Sequence, residues 1–329
     1  MKQSCIAIVG AGQIGSRHLQ ALCHLKNPTR IDLVDPSDES LQTARGRYEY
    51  EEVKSSGKQD TELWCHNSLD DLPDTLDLVI VATNSIVREK VIRDVIEKRL
   101  VKNLILEKIL FQRIEQYIEV NNFLEESSIP TWVSCWMRTT DLFKQIKSAL
   151  NLNNAVHIKV EGSQWRMGTN SIHFMDLFSY FTEYNDFKFT DIQLSNELAD
   201  SRHKGCKEFL GQMIGQNSRG DTLNLICRGP EDEPPIVEIV NTPDRYKVIG
   251  LTGKVGFESS NDLANRTGET TLPYQSQLTH LWADDILSRG TCDLPTYAES
   301  MPLHLELIRV FTDHLEKITG GGADVCPIT

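Results

Sequence analysis

A run of apolar residues from Cys5 to Val9 gives way to Gly10-Ala11-Gly12-Gln13-Ile14-Gly15, and then to a helical pattern that fades near Asn27 and Pro28. Three glycines at this spacing, between a buried strand and a helix, suit a dinucleotide site. The first permits the tight strand-to-helix turn, the second lets a pyrophosphate approach the backbone, and the third lets helix and strand pack closely. The helix N-terminus then offers N–H groups and a positive dipole end to the phosphates. A second strand, Ile31 to Val34, ends at Asp35, 20 residues after Gly15. A carboxylate there accepts hydrogen bonds from ribose hydroxyls. Gly10, Gly12, Gln13, Ile14, Gly15 and Asp35 are therefore expected to bind the nucleotide. Asp35 would repel a 2′-phosphate, and no arginine occurs in Pro36 to Ser40, so the expected cofactor is NAD rather than NADP.

From there the chain alternates strand and helix, the pattern of a doubly wound parallel sheet. Helices are predicted over Ser37 to Arg47, Ile86 to Arg99 and Ile114 to Ser127, with a charged helix tail and loop over Tyr48 to Asp60. Strands are predicted near Glu62 to His66, Leu76 to Ala82, Asn103 to Glu107 and Thr131 to Trp136. Val87, Val91, Ile92, Val95 and Ile96 share the inner helix face by their spacing. The second part differs. It has helices over Asp141 to Leu150 and Ser171 to Glu183, and strand-like runs at Ala155 to Glu161, Lys188 to Ser195, Thr222 to Cys227, Ile236 to Val240, Tyr246 to Leu251 and Lys254 to Phe257. Turn signals such as Gly229-Pro230 separate them, which predicts a mostly antiparallel open sheet. Helices over Tyr274 to Ser288 and Ala298 to Lys317 precede a glycine-rich tail, Gly320 to Ala323. The expected fold class is α/β: a Rossmann domain over residues 1–128 and an α/β substrate-binding and oligomerisation domain over residues 129–329, whose last helices pack back on the first domain.

Composition narrows the partners. A net charge of −13 and a pI of 5.2 oppose binding to nucleic acid or to an anionic membrane surface. No apolar stretch reaches membrane-spanning length. Met1 to Ser4 lead straight into the first strand, so the chain reads as lacking a signal peptide and as cytoplasmic. On that reading the sequon Asn265-Arg266-Thr267 has no glycosylation role. The eight cysteines form no CxxC pair, and Cys23-His24 and Cys65-His66 lack a second ligand pair at matching spacing, so reduced thiols and no metal site are expected.

Ligands of open α/β sheets lie beyond the carboxyl ends of the strands. Thr83 and Asn84 end one strand, where they contact the cofactor, cap the next helix, or both. Glu107 and Lys108 end another. A lysine at that edge is placed to exchange a proton with a carbinol oxygen, although an isolated lysine by itself reads as a solvated charge. Trp132, Trp136 and Trp165 suit either stacking on a sugar or core packing. Arg138 and Arg166 suit either a substrate anion or the solvated surface.

In the order and spacing of its motifs, nearly the whole chain resembles the glucose-fructose oxidoreductase / inositol dehydrogenase / MocA family. Gly10 to His18 matches the family's Gly-x-Gly-x-x-Gly-x-x-His opening, and Ala82-Thr83-Asn84 its Ala-Thr-Pro or Ala-Thr-Asn segment. Glu107-Lys108-Ile109 stands at its Glu-Lys-Pro motif, Arg138 near its Asn-x-Arg segment, and Gly168 to Asp176 at its Asp-x-x-x-His-x-x-Asp helix. Gly290 and Leu294-Pro295 precede a helix similar to the family's last ones. The resemblance implies a bound nicotinamide nucleotide, a sugar, cyclitol or sugar derivative as substrate, and a homodimer or homotetramer. It gives Lys108 the proton-donating role and His173 that of acid/base or orienting group, with Asp176 one turn on. Arg138, Trp136, Arg166, Thr169, Asn170 and Asp176 become substrate-site residues, and Glu107 and Lys108 join the cofactor set.

Two departures stand out. Ile109 replaces the proline, which makes a cis or kinked peptide less expected there. Thr169 and Asn170 stand where an acid is expected, so an unusual substrate is predicted. Some members of the family hold NAD tightly and use it transiently, for elimination or glycoside cleavage without net redox. A nucleotide-binding sensor or accessory protein without turnover is the alternative. Loops Gly162 to Asn170 and Ser201 to Gly220 are expected to set specificity.

Overall fold

The computed structural model describes residues 3–54, 61–163, 165–229, 233–260, 268–322 and 324–329. The sequon at Asn265, the end of the charged stretch before Asp60, Gln164, Pro230 and Ala323 lie outside them. The chain divides into two compact units. The first comprises Met1–Phe111, Ile118–Ser134 and Pro273–Tyr297, and the second Gln112–Tyr117, Cys135–Leu272 and Ala298–Thr329.

In chain order the elements begin β1 (Ser4–Val9), α1 (Gln13–Leu22), β2 (Thr29–Val34), α2 (Asp38–Lys54), β3 (Glu62–His66), β4 (Thr75–Leu76), β5 (Leu78–Val81) and α3 (Arg88–Lys98). Then come β6 (Leu100–Val101), β7 (Leu104–Leu106), α4 (Ile114–Ser127) and β8 (Thr131–Val133). The first unit is built on a six-stranded parallel sheet in the order β3-β2-β1-β5-β7-β8, with β4 and β6 as a small parallel pair. Order reverses beside β1, so the carboxyl ends of β1 and β5 flank the crevice where such sheets bind ligands. Ile6, Ala7, Ile8, Leu78, Val79, Ile80 and Val81 are fully buried, as strands covered on both faces require.

Local details differ from the sequence reading for identifiable reasons. The strand expected over Leu76 to Ala82 is interrupted at Asp77, whose carboxylate accepts the Cys5 N–H at 2.9 Å. The strand expected to reach Trp136 stops at Val133, and Trp136–Thr139 is a 3₁₀ turn. On α3 the inner face is Arg88, Ile92 and Val95, while Val87 is exposed. Arg88 takes the inner position because its guanidinium donates to the carbonyls of Thr83, Ile109 and Leu110.

The second unit contains α5 (Asp141–Ala149), β9 (His157–Ser163), α6 (Met167–Thr182), β10 (Lys188–Leu194), β11 (Ala199–Asp200), β12 (Lys207–Glu208), β13 (Gly211–Gln216) and β14 (Thr222–Arg228). It continues through β15 (Ile236–Asn241), β16 (Asp244–Ile249), β17 (Gly253–Ser259) and β18 (Gly268–Leu272). Helix α7 (Thr279–Arg289) follows and belongs to the first unit; α8 (Tyr297–Thr319) lies in the second from Ala298 on. An eight-stranded sheet runs β10-β13-β14-β9-β15-β16-β17-β18, antiparallel except for β14 beside β9. Ile158 and Val160 of β9 and Leu223 and Leu225 of β14 point to the buried face. Their neighbours His157, Lys159, Thr222 and Asn224 point the other way, with the period of two of a half-covered sheet. Helix α6 is buried along most of its length through Phe174, Phe178 and Phe181, each worth roughly 1.5–3 kcal/mol.

Candidate nucleotide and substrate sites

In the first unit, the loop after β1 is shaped by contacts that exclude side chains. Gly10 has φ +100°, and a Cβ there would lie 2.9 Å from the Thr83 nitrogen. A Cβ on Gly15 would lie 1.7 Å from the Gly10 carbonyl oxygen. Gly12 is different: a Cβ there meets nothing within 4 Å. The space beside Gly12 is open, as a pyrophosphate site needs. Gly12 caps α1 without a side-chain hydrogen bond, and the first turn carries no acid. Gln13 and Ile14 begin that helix and are exposed.

Asp35 follows β2. Its Oδ2 accepts the Ala11 N–H at 2.7 Å and its Oδ1 the Ser37 N–H at 2.9 Å. Each carboxylate oxygen has a second acceptor site, which leaves capacity for ribose hydroxyls. After β5, the Asn84 side chain accepts the N–H groups of Ile86 and Val87 at 3.1 and 3.3 Å, so it caps the turn into α3. The Thr83 hydroxyl is buried without a hydrogen-bond partner. An orphaned buried hydroxyl at this edge fits a ligand that completes it. Together these features fit NAD: Gly12 and the start of α1 would hold the pyrophosphate, Asp35 the adenosine ribose, and Thr83 a further polar group.

Glu107 and Lys108 follow β7. Glu107 is buried, and His18 of α1 lies against it, Nε2–H donating to Oε1 at 2.9 Å. The other ring nitrogen of His18 accepts from the Thr279 hydroxyl at 2.8 Å. Burial opposes ionisation of Glu107, but the His18 hydrogen bond, the Ser134 hydroxyl and the Lys108 charge outweigh it and hold the carboxyl below the usual range. The Lys108–Ile109 peptide is cis, contrary to the expectation drawn from Ile109. Ile109 is fully buried and its carbonyl accepts from Arg88.

The second unit carries the remaining candidates, most of them on α6. The edge of the Trp136 ring meets His173, with centroids 6.0 Å apart. Asp176, one turn on, turns instead to Arg138 in a bidentate pair, with Nε to Oδ2 at 2.9 Å and a terminal nitrogen to Oδ1 at 2.6 Å. Burial pushes the Asp176 carboxyl up to about 6 against the pull of Arg138. Arg138 also stacks over Tyr180 and approaches Glu299, at one wall of a pocket of about 350 Å³ that Lys147 and Glu183 help to line. Trp165 is buried, its indole N–H donating to the Ile226 carbonyl at 2.7 Å, and Asn170 donates to the Trp165 carbonyl. Trp132 is buried in β8.

Arg166 opens α6 in the left-handed region, at φ 61°. Thr169 donates from its hydroxyl and, at 3.2 Å, from its N–H to the carboxylate of Glu208. The acid missing from position 169 is thus brought to that turn by β12. Sequence reasoning missed Glu208, which is 39 residues away along the chain. It also missed Arg88, whose place on the apolar stripe of α3 was the available signal. Among the described residues no group of three or more His, Cys, Asp or Glu side chains is arranged to hold a metal, and no helix is long and apolar enough to cross a membrane.

Residues 5–134 match the model of the GFO_IDH_MocA family, an oxidoreductase family with an NAD-binding Rossmann fold. No curated protein matches the sequence. Solved structures share the fold over nearly the whole chain. One is scyllo-inositol dehydrogenase from Lactobacillus casei with bound NAD(H) and scyllo-inositol, 12% identical, TM-score 0.68, covering 96% of this chain and 98% of that one. Another is the UDP-N-acetylglucosamine 3-dehydrogenase GnnA from Acidithiobacillus ferrooxidans, 13% identical, TM-score 0.68, covering 94% and 97%. A dehydrogenase from Chromobacterium violaceum is 15% identical, with TM-score 0.66 and coverage of 97% and 99%.

Proposed function

We propose that this chain, whose residues 5–134 are an NAD-binding Rossmann domain of the GFO_IDH_MocA oxidoreductase family, transfers hydride to or from a carbinol or carbonyl carbon of a sugar, cyclitol or sugar derivative. The single observation that carries the reading is the edge of the parallel sheet. The glycine loop, Thr83 and Glu107-Lys108 follow β1, β5 and β7, three adjacent strands, so a nucleotide site and an ammonium group share one rim. NAD supplies the hydride acceptor or donor at its nicotinamide ring. The protein's part is binding, orientation and the proton. In the oxidising direction the substrate O–H bond breaks, the proton passes to the Lys108 amine, and the C–H pair leaves as hydride while C=O forms. In reduction the Lys108 ammonium returns the proton to the oxygen. His173, stacked edge-on by Trp136, orients the substrate or exchanges the same proton. Glu107 keeps a negative charge beside Lys108, and His18 fixes where that charge sits. The same reading carries a homodimer or homotetramer, which light scattering measures.

The test begins with NADH and NADPH titrations followed by energy transfer from tryptophan, and continues with turnover of neutral and charged sugars. Lys108→Met should lower turnover by orders of magnitude with NADH affinity nearly intact. Unchanged turnover would end the assignment of Lys108. NADH binding without net redox on any sugar would favour transient use of NAD or a sensor role instead.

A further inference from the structure

The turn between β11 and β12 carries Arg202, His203, Lys204 and Gly205, an exposed basic run in a chain of net charge −13. Its position is fixed. Ala199 pairs with Glu208 and Asp200 with Lys207, so the two strands form a short hairpin. Glu208 fastens that hairpin to the first turn of α6 through Thr169. Gly168 lets the two elements meet: a Cβ there would lie 2.9 Å from the Glu208 carboxylate and 3.3 Å from the Lys207 carbonyl. The basic turn is thereby held beside Arg166.

Among the described residues, the cations Arg166, Arg202 and Lys204 outweigh the Glu208 carboxylate in this corner. Asp200 is spent on Lys207 at 2.6 Å, and Glu208 accepts from Thr169. Among the described residues Arg166, Arg202 and Lys204 make no ion pair. Arg166 loses solvent to its surroundings, feels repulsion from Arg202, and is only partly compensated by Glu208. Two guanidinium groups that share only the partial compensation of Glu208 invite an anion, which each can hold with charge-assisted and often bidentate hydrogen bonds.

We propose that Arg166 and Arg202, with Lys204, seat an anionic group of the substrate, so that the protein acts on sugars bearing a phosphate, diphosphate or carboxylate rather than on neutral cyclitols. This rests on the reading of His173 as a substrate-site residue. His173 lies seven residues beyond Arg166, which is ~10 Å along α6. That separation suits a pyranose ring with an anionic substituent at its far end. Thr169 and Asn170 lie between the two ends, as hydroxyl-binding groups would.

The test titrates the protein with five probes: glucose and myo-inositol as neutral sugars, and glucose 6-phosphate, glucuronate and UDP-glucose as anionic ones. NADH is titrated separately. At least one anionic probe should bind ten-fold or more tightly than the neutral ones, and more weakly as salt rises. The three anionic arms separate monophosphate, carboxylate and nucleotide diphosphate. Arg202→Ala, on an exposed turn, should weaken that probe by about 10- to 100-fold and leave NADH affinity unchanged. Arg166→Lys gives a second reading that keeps the charge and loses the fork. Equal affinity for neutral and anionic probes, no binding of any anionic probe at millimolar concentration, or an Arg202→Ala effect within two-fold would each overturn the proposal. Failure to bind NADH would strike the oxidoreductase reading alone, since the sugar titrations report on the anion seat independently.

Discussion

Gly12 and Gly15 stand three residues apart in one loop, yet alanine at the two positions should do opposite things. At Gly12 the backbone has φ −62°, open to any residue, and a new Cβ touches no protein atom within 4 Å. Gly12→Ala should therefore leave stability within about 1 kcal/mol, since the small loss at a cap position and the gain from a less flexible unfolded chain oppose each other. The methyl does occupy the space a pyrophosphate needs. Displacing one charge-assisted hydrogen bond costs about 1.5–3 kcal/mol, or roughly 10- to 150-fold in NADH affinity. At Gly15 the Cβ would sit 1.7 Å from the Gly10 carbonyl oxygen, so the backbone itself has to move. Gly15→Ala should lower stability by about 1–3 kcal/mol and abolish NADH binding as a consequence. Urea melts without nucleotide and NADH titrations of the same preparations separate the two effects. A Gly12→Ala protein that binds NADH like the parent would refute the placement of the pyrophosphate.

Three further outcomes follow from the charged groups. Glu107 titrates below its unfolded value, so the stability it confers is fully present above about pH 4.5 and is lost as pH falls through its folded value. The stability gap between parent and Glu107→Gln should accordingly hold steady from pH 7 to about pH 5 and shrink in urea melts taken from there down to about pH 3, and a gap that widens would contradict the His18 hydrogen bond. Arg138→Met leaves Asp176 buried without its bidentate partner and should cost about 3–5 kcal/mol, read as a lowered urea midpoint. Removing both charges with Asp176→Leu should recover part of the loss. Asp35→Ser should narrow the preference for NADH over NADPH by at least ten-fold, while an unchanged ratio would place discrimination elsewhere.

The residues that were legible in the sequence are those whose signal is local. β1, β5 and β7 announce themselves as apolar runs because both faces of a parallel sheet are covered, and the glycine loop because its geometry tolerates little else. β13 escaped notice since Gly211 and Gly215 break its alternation, and each is pressed against a neighbour that a side chain would displace. Helix α6 starts at Met167, four residues before the Ser171 that the sequence pattern predicts, for a related reason. Its first turn has no local capping side chain and takes its acceptor from Glu208 on strand β12. Arg88, His18 and Glu208 owe their roles to distant partners: Ile109 lies 21 residues from Arg88, Thr169 39 from Glu208, and Glu107 and Thr279 lie 89 and 261 from His18. Spacing rules cannot register partners at that range, whereas the carboxylate lost at Thr169 was visible only as a gap.

The first unit is assembled from chain segments that a ribosome delivers far apart in time. Its parallel sheet is complete once β8 has emerged, but the backbone N–H of Val133 bonds to the carbonyl of Pro295, and the buried ring of His18 bonds to the hydroxyl of Thr279. At ordinary elongation rates the polypeptide between Ser134 and Thr279 takes roughly 7–30 s to be made. For that interval the nascent Rossmann sheet has an edge without its late partner and a histidine without one of its two acceptors and donors. Completion of the nucleotide-binding half is thus tied to translation of the entire intervening sequence, and a transcript cut short in the second half would release a chain whose first half is also unfinished.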